Sequence, residues 1–129
     1  MLYSILCYHC EKTVGAWTPA QEAATLERLA VIQRKLAQQG KLGPVVRLMP
    51  TSTATTLRKE QSPPVMLDGP FAETKEQLLG FFVVDCASRE ETHEIARELA
   101  AANPGGAYEI RPVAVINPHG DGKVGPRQA

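Results

Sequence analysis

The segment LLGFFVVDC, residues 78–86, is apolar at consecutive positions rather than at every second one. Side chains alternate between the two faces of a strand, so such a run makes a strand buried on both sides. It belongs near the centre of a sheet, and that sheet must be covered above and below. Gly80 interrupts the run and marks either a bulge or a close approach by another backbone. A chain of 129 residues is expected to form one domain, with little material to provide two covers.

The flanking pattern defines the available cover. LYSILCYH, from Leu2 to His9, reads as a strand, and EKTVGAW as a loop. TPAQEAATLERLAVIQRKLAQQG is a helix. Thr18 and Gln21 form a capping box, Pro19 takes the first helical position and Gly40 stops it. Ala23, Leu26, Leu29, Ile32 and Leu36 recur at helical spacing and predict its buried face. PVVRLMP is a strand closed by Pro50, and TATTLR either extends it after a bend or forms a short partner strand. KEQSPP is a turn, since its prolines cannot sit inside a ladder, and VMLD is a short strand running into Asp68-Gly69-Pro70. SREETHEIARELAAANPGG is a second helix, capped by Ser88 with Glu91 and buried along Ile95, Ala96, Leu99 and Ala102. AYEIRPVAVI is the last strand, with Pro112 pointing to an edge or a bulge. The domain is expected to span 1–117. Residues 118–129, rich in Gly and Pro, form a flexible tail or an exchanged arm.

The order is strand, helix, strand, insert, strand, helix, strand. This predicts an α+β, ferredoxin-like βαββαβ fold with an insert before the third core strand. Two helices cover one face of such a sheet. The other face calls for a second copy of the same sheet, so a homodimer through the helix-free sheet face is expected.

Composition excludes several classes of function. Lys plus Arg and Asp plus Glu both number 14, so no net charge draws the chain to nucleic acid or to an anionic membrane. The apolar start lacks the basic residues and cleavage site of a signal peptide and is too short to span a bilayer. Three cysteines argue against a secreted disulfide framework. A cytoplasmic location is the expectation.

DGPFAETKEQLLGFFVVD, with KLGPVVRLMPTSTATTLR upstream and EIRPV downstream, resembles the DGPF branch of the YCII-related superfamily. The resemblance covers roughly two-thirds of the chain, from about Gly40 to Val113. It implies a ferredoxin-like protomer in a dimeric α/β barrel. Enzyme-like members carry a histidine early in the first helix, paired with an aspartate. TPAQEAATLERL has no histidine there, and Asn103-Pro104 stands where the family often has Cys-Pro. The resemblance also implies a regulatory setting linked to extracytoplasmic-function sigma factors.

The candidate site residues are charged. Asp68 and Glu73 are the candidate catalytic carboxylates, either solvated in a loop or stationed at the mouth of an inter-sheet cleft. Arg58, Lys75, Glu109 and Arg111 are the candidate ligand-binding residues. Glu109 and Arg111 share one strand face with Val113 and Val115 and act either as an interface pair or as an anion grip. CYHC, Cys7 to Cys10, has C-x-x-C spacing, but it closes a strand instead of opening a helix. Cys86, His93 and His119 add no paired ligand spacing, so no metal or cofactor is expected. Trp17 and Tyr8 either stack on a ligand or close a core. Two functions follow as expectations. One is small-molecule binding in the acid- and base-lined cleft, with lyase- or isomerase-type chemistry. The other is a non-catalytic regulatory or interaction module.

Overall fold

The computed structural model describes residues 1–123 and 125–128; Val124 and Ala129, within the expected tail, lie outside the described residues. The elements are β1 (Leu2–His9), α1 (Glu11–Gly15), α2 (Pro19–Gln38), β2 (Leu42–Arg47), β3 (Thr55–Arg58), β4 (Val65–Asp68), β5 (Gln77–Asp85), α3 (Arg89–Ala102) and β6 (Ala107–Pro112). Four strands form one antiparallel sheet in the order β2-β5-β1-β6. With α2 and α3 this is the ferredoxin-like α+β arrangement read from the sequence. The doubly apolar run is an inner strand, and Pro112 lies on an edge strand, where its missing N–H costs no ladder bond. No helix among the described residues is long and apolar enough to cross a membrane.

The core lies between the sheet and the two long helices. Tyr3 and Ile5 of β1, Phe82 and Val84 of β5, and Leu29, Ile32 and Leu36 of α2 meet Ile95, Ala96 and Leu99 of α3. Both predicted caps form: Thr18 accepts from the Gln21 amide while the Gln21 side chain accepts from the Thr18 amide, and Ser88 accepts from the Glu91 amide. The buried face of α3 is the predicted one, with Thr92 added.

The α2 face differs at its first turns. Thr25, not Ala23 or Leu26, is buried ahead of Leu29, Ile32 and Leu36. Positions 25, 29, 32 and 36 keep one helical phase, whereas 23 and 26 drift off it. The Thr25 hydroxyl accepts from Arg28, whose Nε also donates to the Ala102 carbonyl in the last turn of α3. That satisfies a carbonyl the helix itself leaves open. Two further differences are local. EKTVG within the expected loop winds into α1, and β2 begins at Leu42 and ends at Arg47. The β2–β5 register shifts between Leu42 and Val45, around Pro44, which has no N–H to give to a ladder.

The insert is a separate ribbon. TTLR pairs antiparallel with VMLD, Thr55 opposite Asp68 and Arg58 opposite Val65. Residues around this ribbon carry apolar side chains in solvent, with Met66 63% and Phe71 72% exposed. At the other end of the chain, Gln128 returns to the start of β1, donating to the Leu2 carbonyl and accepting from the Leu2 amide.

Gly80 is a place of close approach. A Cβ there would lie 2.1 Å from the Val46 carbonyl oxygen, a backbone atom that cannot rotate away. Gly80→Ala is therefore expected to push β2 from β5 and to lower stability by about 1–3 kcal/mol, the usual range for overpacking. Gly15 is the control, because a Cβ there would meet no neighbour within 4 Å. Gly15→Ala should leave stability unchanged or raise it by about 0.4–1 kcal/mol. Urea unfolding monitored by circular dichroism measures both.

Candidate functional site

A second irregularity in the sheet opens the site. Cys7 pairs with Gly80, but Tyr8 pairs with Leu78, so Leu79 is an extra residue on β5. A bulge reverses which face the following residues occupy. Beyond it, His9 and Gln77 lie opposite each other on the helix-covered side. This end of the sheet, past the core, is roofed by the first turns of α2 and by the α1–α2 connection.

A cavity of about 100 Å³ lies there, lined by groups that include Cys7, His9, Trp17, Thr25, Asn103 and Tyr108. A groove of about 460 Å³ adjoins it. The two share Val14, Trp17, Glu22, Arg47 and Leu79. Apolar walls with a few polar groups are the usual make-up of a small-molecule site.

Each polar group has a defined state. The Cys10 amide donates to His9 Nδ1 at 2.7 Å, which makes the neutral ring an Nε2–H donor. The His9 ring packs edge-on to Trp17, with centroids 6.2 Å apart. On its other side the turn after α3 comes very close: a Cβ on Gly105 would lie 2.6 Å from His9 Nε2. Gly105 also has φ +89, which side chains other than glycine rarely adopt. The Tyr108 hydroxyl accepts from Asn103 Nδ2 at 3.1 Å. Burial pushes the Tyr108 pKa up, the Asn103 bond opposing it in part, so the phenol stays protonated and keeps its hydrogen to donate.

The loops around the cavity are cross-linked by polar side chains. Glu11 takes the Thr51 amide at 2.8 Å and the Thr51 hydroxyl at 2.7 Å, while its own amide donates to the Gln77 side chain. Gln77 Nε2 in turn donates to the Thr74 carbonyl. Arg47 and Glu22 form an ion pair of 3.1 Å between the end of β2 and the first turn of α2.

The charged residues singled out from the sequence lie elsewhere. Asp68 ends β4, exposed and opposite Thr55. Glu73 and Lys75 are exposed in the loop that leads to β5. Arg58 donates to the Phe71 carbonyl and lies 3.9 Å from Glu60, so it braces the ribbon against its own loop. Glu109 and Arg111 lie 3.8 Å apart on β6, both largely exposed. By register they share the helix-free face with Ser4 and Leu6. Among the described residues, no hydrogen bond or ion pair joins the ribbon group to the β6 pair.

His9, Asn103 and Tyr108 had no place among the expected site residues. A signal for them existed in Gly105-Gly106 directly after a helix, since adjacent glycines mark a tight return against another backbone. A Cβ on Gly106 would lie 2.1 Å from the Tyr8 carbonyl oxygen. Among the described residues no three His, Cys, Asp or Glu side chains are grouped to hold a metal.

The cysteines of CYHC differ in chemistry. Burial pushes the Cys7 thiol up to about 12. Cys10 precedes α1, and the Thr13 amide, then the Thr13 hydroxyl and the Lys12 amide, hold its pKa below the ordinary thiol value. No cap hydrogen bond closes from its side chain, so the effect is the electrostatic pull of nearby donors. At pH 8 a thiol of pKa near 12 is thiolate in about one molecule in ten thousand. Iodoacetamide on the native protein is expected to label Cys10 at least about tenfold faster than Cys7. Peptide mass spectrometry over a time course measures the two rates.

A family model for the YCII-related domain matches residues 1–117. A protein of Rhizobium meliloti (strain 1021), described as uncharacterized, is 50% identical over 119 residues, which cover 92% of this chain and 96% of that protein.

Proposed function

The chain belongs to the YCII-related family, and on that premise we propose that it is a small-molecule-binding domain whose ligand enters the cavity at the bulged end of the sheet. The observation that carries this reading is a largely apolar recess lined by two side chains with hydrogen-bond donors to spare, His9 and Tyr108. His9 offers Nε2–H because its Nδ1 is engaged, and Tyr108 offers its hydroxyl proton because its oxygen already accepts from Asn103. Trp17 forms the wall common to the cavity and the groove. Cys7 stays a neutral thiol and contributes shape, not a nucleophile.

Trp17 is the single tryptophan of the chain, so intrinsic fluorescence reports directly on the site. A fragment screen read by Trp17 emission is expected to yield saturable ligands. His9→Ala and Tyr108→Phe should each weaken them about fivefold or more, the worth of one hydrogen bond. Ligands whose affinity neither substitution changes would place the binding site elsewhere and sink the reading.

We further propose that the working unit is a homodimer through the helix-free sheet face. Leu6, Phe81 and Val83 share that face by register; Leu6 and Phe81 are half-buried there, while Val83 is already buried within the protomer. The ribbon adds exposed Leu57, Met66, Leu67 and Phe71. An isolated two-stranded ribbon is marginal in water, and apolar patches of this kind mark contact surfaces. In such a dimer Asp68, Glu73, Arg58 and Lys75 come from the ribbon and its loop, and Glu109 and Arg111 from the sheet face. In the proposed dimer a cleft lined by all of them draws on both copies. Light scattering after size-exclusion chromatography should give twice the chain mass at micromolar concentration, and Phe71→Glu with Met66→Glu should shift it toward one. A wild-type monomer under these conditions rejects the dimer.

A further inference from the structure

We infer that the ligand of this cavity carries a carboxylate, and that Arg47 takes hold of it by exchanging its bond to Glu22. The inference rests on the small-molecule reading and adds the chemical class.

The first observation concerns position. Glu22 and Arg47 are the oppositely charged residues that line both the cavity and the groove. Their ion pair, 3.1 Å long, spans the place where the two meet. The side chains are 48% and 55% exposed, so the pair is screened by water and contributes little that holds it shut.

The second observation concerns which hydrogen-bonding capacity remains unused. Among the described residues, neither His9 Nε2–H nor the Tyr108 hydroxyl proton donates to another protein group, and both residues line the cavity. The strongest acceptors nearby are engaged: both Glu11 oxygens at the groove hold Thr51, and one Glu22 oxygen holds Arg47, which spends one guanidinium nitrogen on it. A ligand that brings acceptors meets these unspent donors together with the positive charge of Arg47, whereas one that brings an ammonium is repelled by that charge. The planar fork of arginine matches a carboxylate through two parallel bonds.

The third observation concerns what Glu22 does when released. It lies in the first turn of the 20-residue α2, where the positive end of the helix dipole stabilises a carboxylate without Arg47. Exchange therefore leaves neither charge stranded. The apolar wall of Val14, Trp17, Leu26 and Leu79 takes the body of the ligand. The class is a small carboxylic acid with an aromatic or branched apolar body.

The test compares phenylacetate, phenylacetamide and phenethylamine, which differ in the head group, by titration of Trp17 fluorescence near neutral pH. Amide chemical shifts of the residues around His9 and Tyr108 are followed in parallel. Phenylacetate is expected to bind at least about tenfold tighter than phenylacetamide, with phenethylamine weakest. Arg47→Ala should erase the preference for the acid over the amide, with Arg47→Gln as the second variant if the first does not fold. Glu22→Gln should tighten phenylacetate, because Arg47 is then free in advance. Equal binding of acid and amide by the wild-type protein overturns the inference while the binding site stands. So does preference for the amine, or weaker acid binding in Glu22→Gln. No response to any of the three, in emission or chemical shift, overturns the small-molecule reading together with it.

Discussion

The ladder between β1 and β5 is the constraint from which the rest of the molecule follows. Both are inner strands, and between Tyr3 and Cys7 their side chains on one face enter the core with those of α2 and α3. One extra residue, Leu79, ends that regular stretch. On the core side of the bulge, Ile5 and Phe82 are packed against helices. On the far side, His9 and Gln77 are turned toward loops. A continuous ladder would have sent Gln77 to the opposite face, away from Glu11. The same two strands thus build a dry core over one length and a cavity wall over the next.

Gly80 and the Gly105-Gly106 pair adapt the neighbours to this break. β2 passes so close to Gly80 that no side chain fits, and the return after α3 presses on His9 and Tyr8 in the same way. Close packing of backbones brings Arg47 from β2 and Tyr108 from β6 to one recess. Polar side chains then fix the loops. Glu11, Thr51, Gln77 and Thr74 form a chain of hydrogen bonds from the short α1 to the loop that precedes β5. That chain joins the ribbon base to the cavity roof, although the ribbon and the core share no strand pairing.

Local rules carried the fold because its parts are locally encoded. The caps at Thr18 and Ser88, the phase of Ile95, Ala96, Leu99 and Ala102, and the doubly apolar run each specify an element through neighbouring residues. The departures arise where tertiary geometry decides. Leu26 is apolar but off the phase of Leu29, Ile32 and Leu36, so it faces the cavity and not the core, and Thr25 is buried in its place. The candidate site was less legible. Its members come from β1, the α1–α2 connection, β2, β5 and the turn after α3, and the bulge that brings them together sits beside Gly80, which marked a bulge or a close approach without saying what either would gather. Charge was the feature that drew attention in the sequence, and Asp68, Glu73 and Lys75 are all exposed.

That contrast bears on where chemistry can occur. An exposed carboxylate in high dielectric keeps its hydration and interacts weakly with a ligand, whereas a half-buried neutral donor has little water to lose. Tyr108, kept protonated by burial, and His9, fixed in one tautomer by the Cys10 amide, meet the second condition. The carboxylates of Asp68 and Glu73 gain interaction strength only where a covering surface removes the water of the ribbon loop. Within one protomer, therefore, the recess under α2 is where polar groups are best shielded from water. The charges of the ribbon would gain comparable strength only under a covering surface, so the proposed dimer ties any role for them to the apolar surface that Phe71 and Met66 leave in solvent.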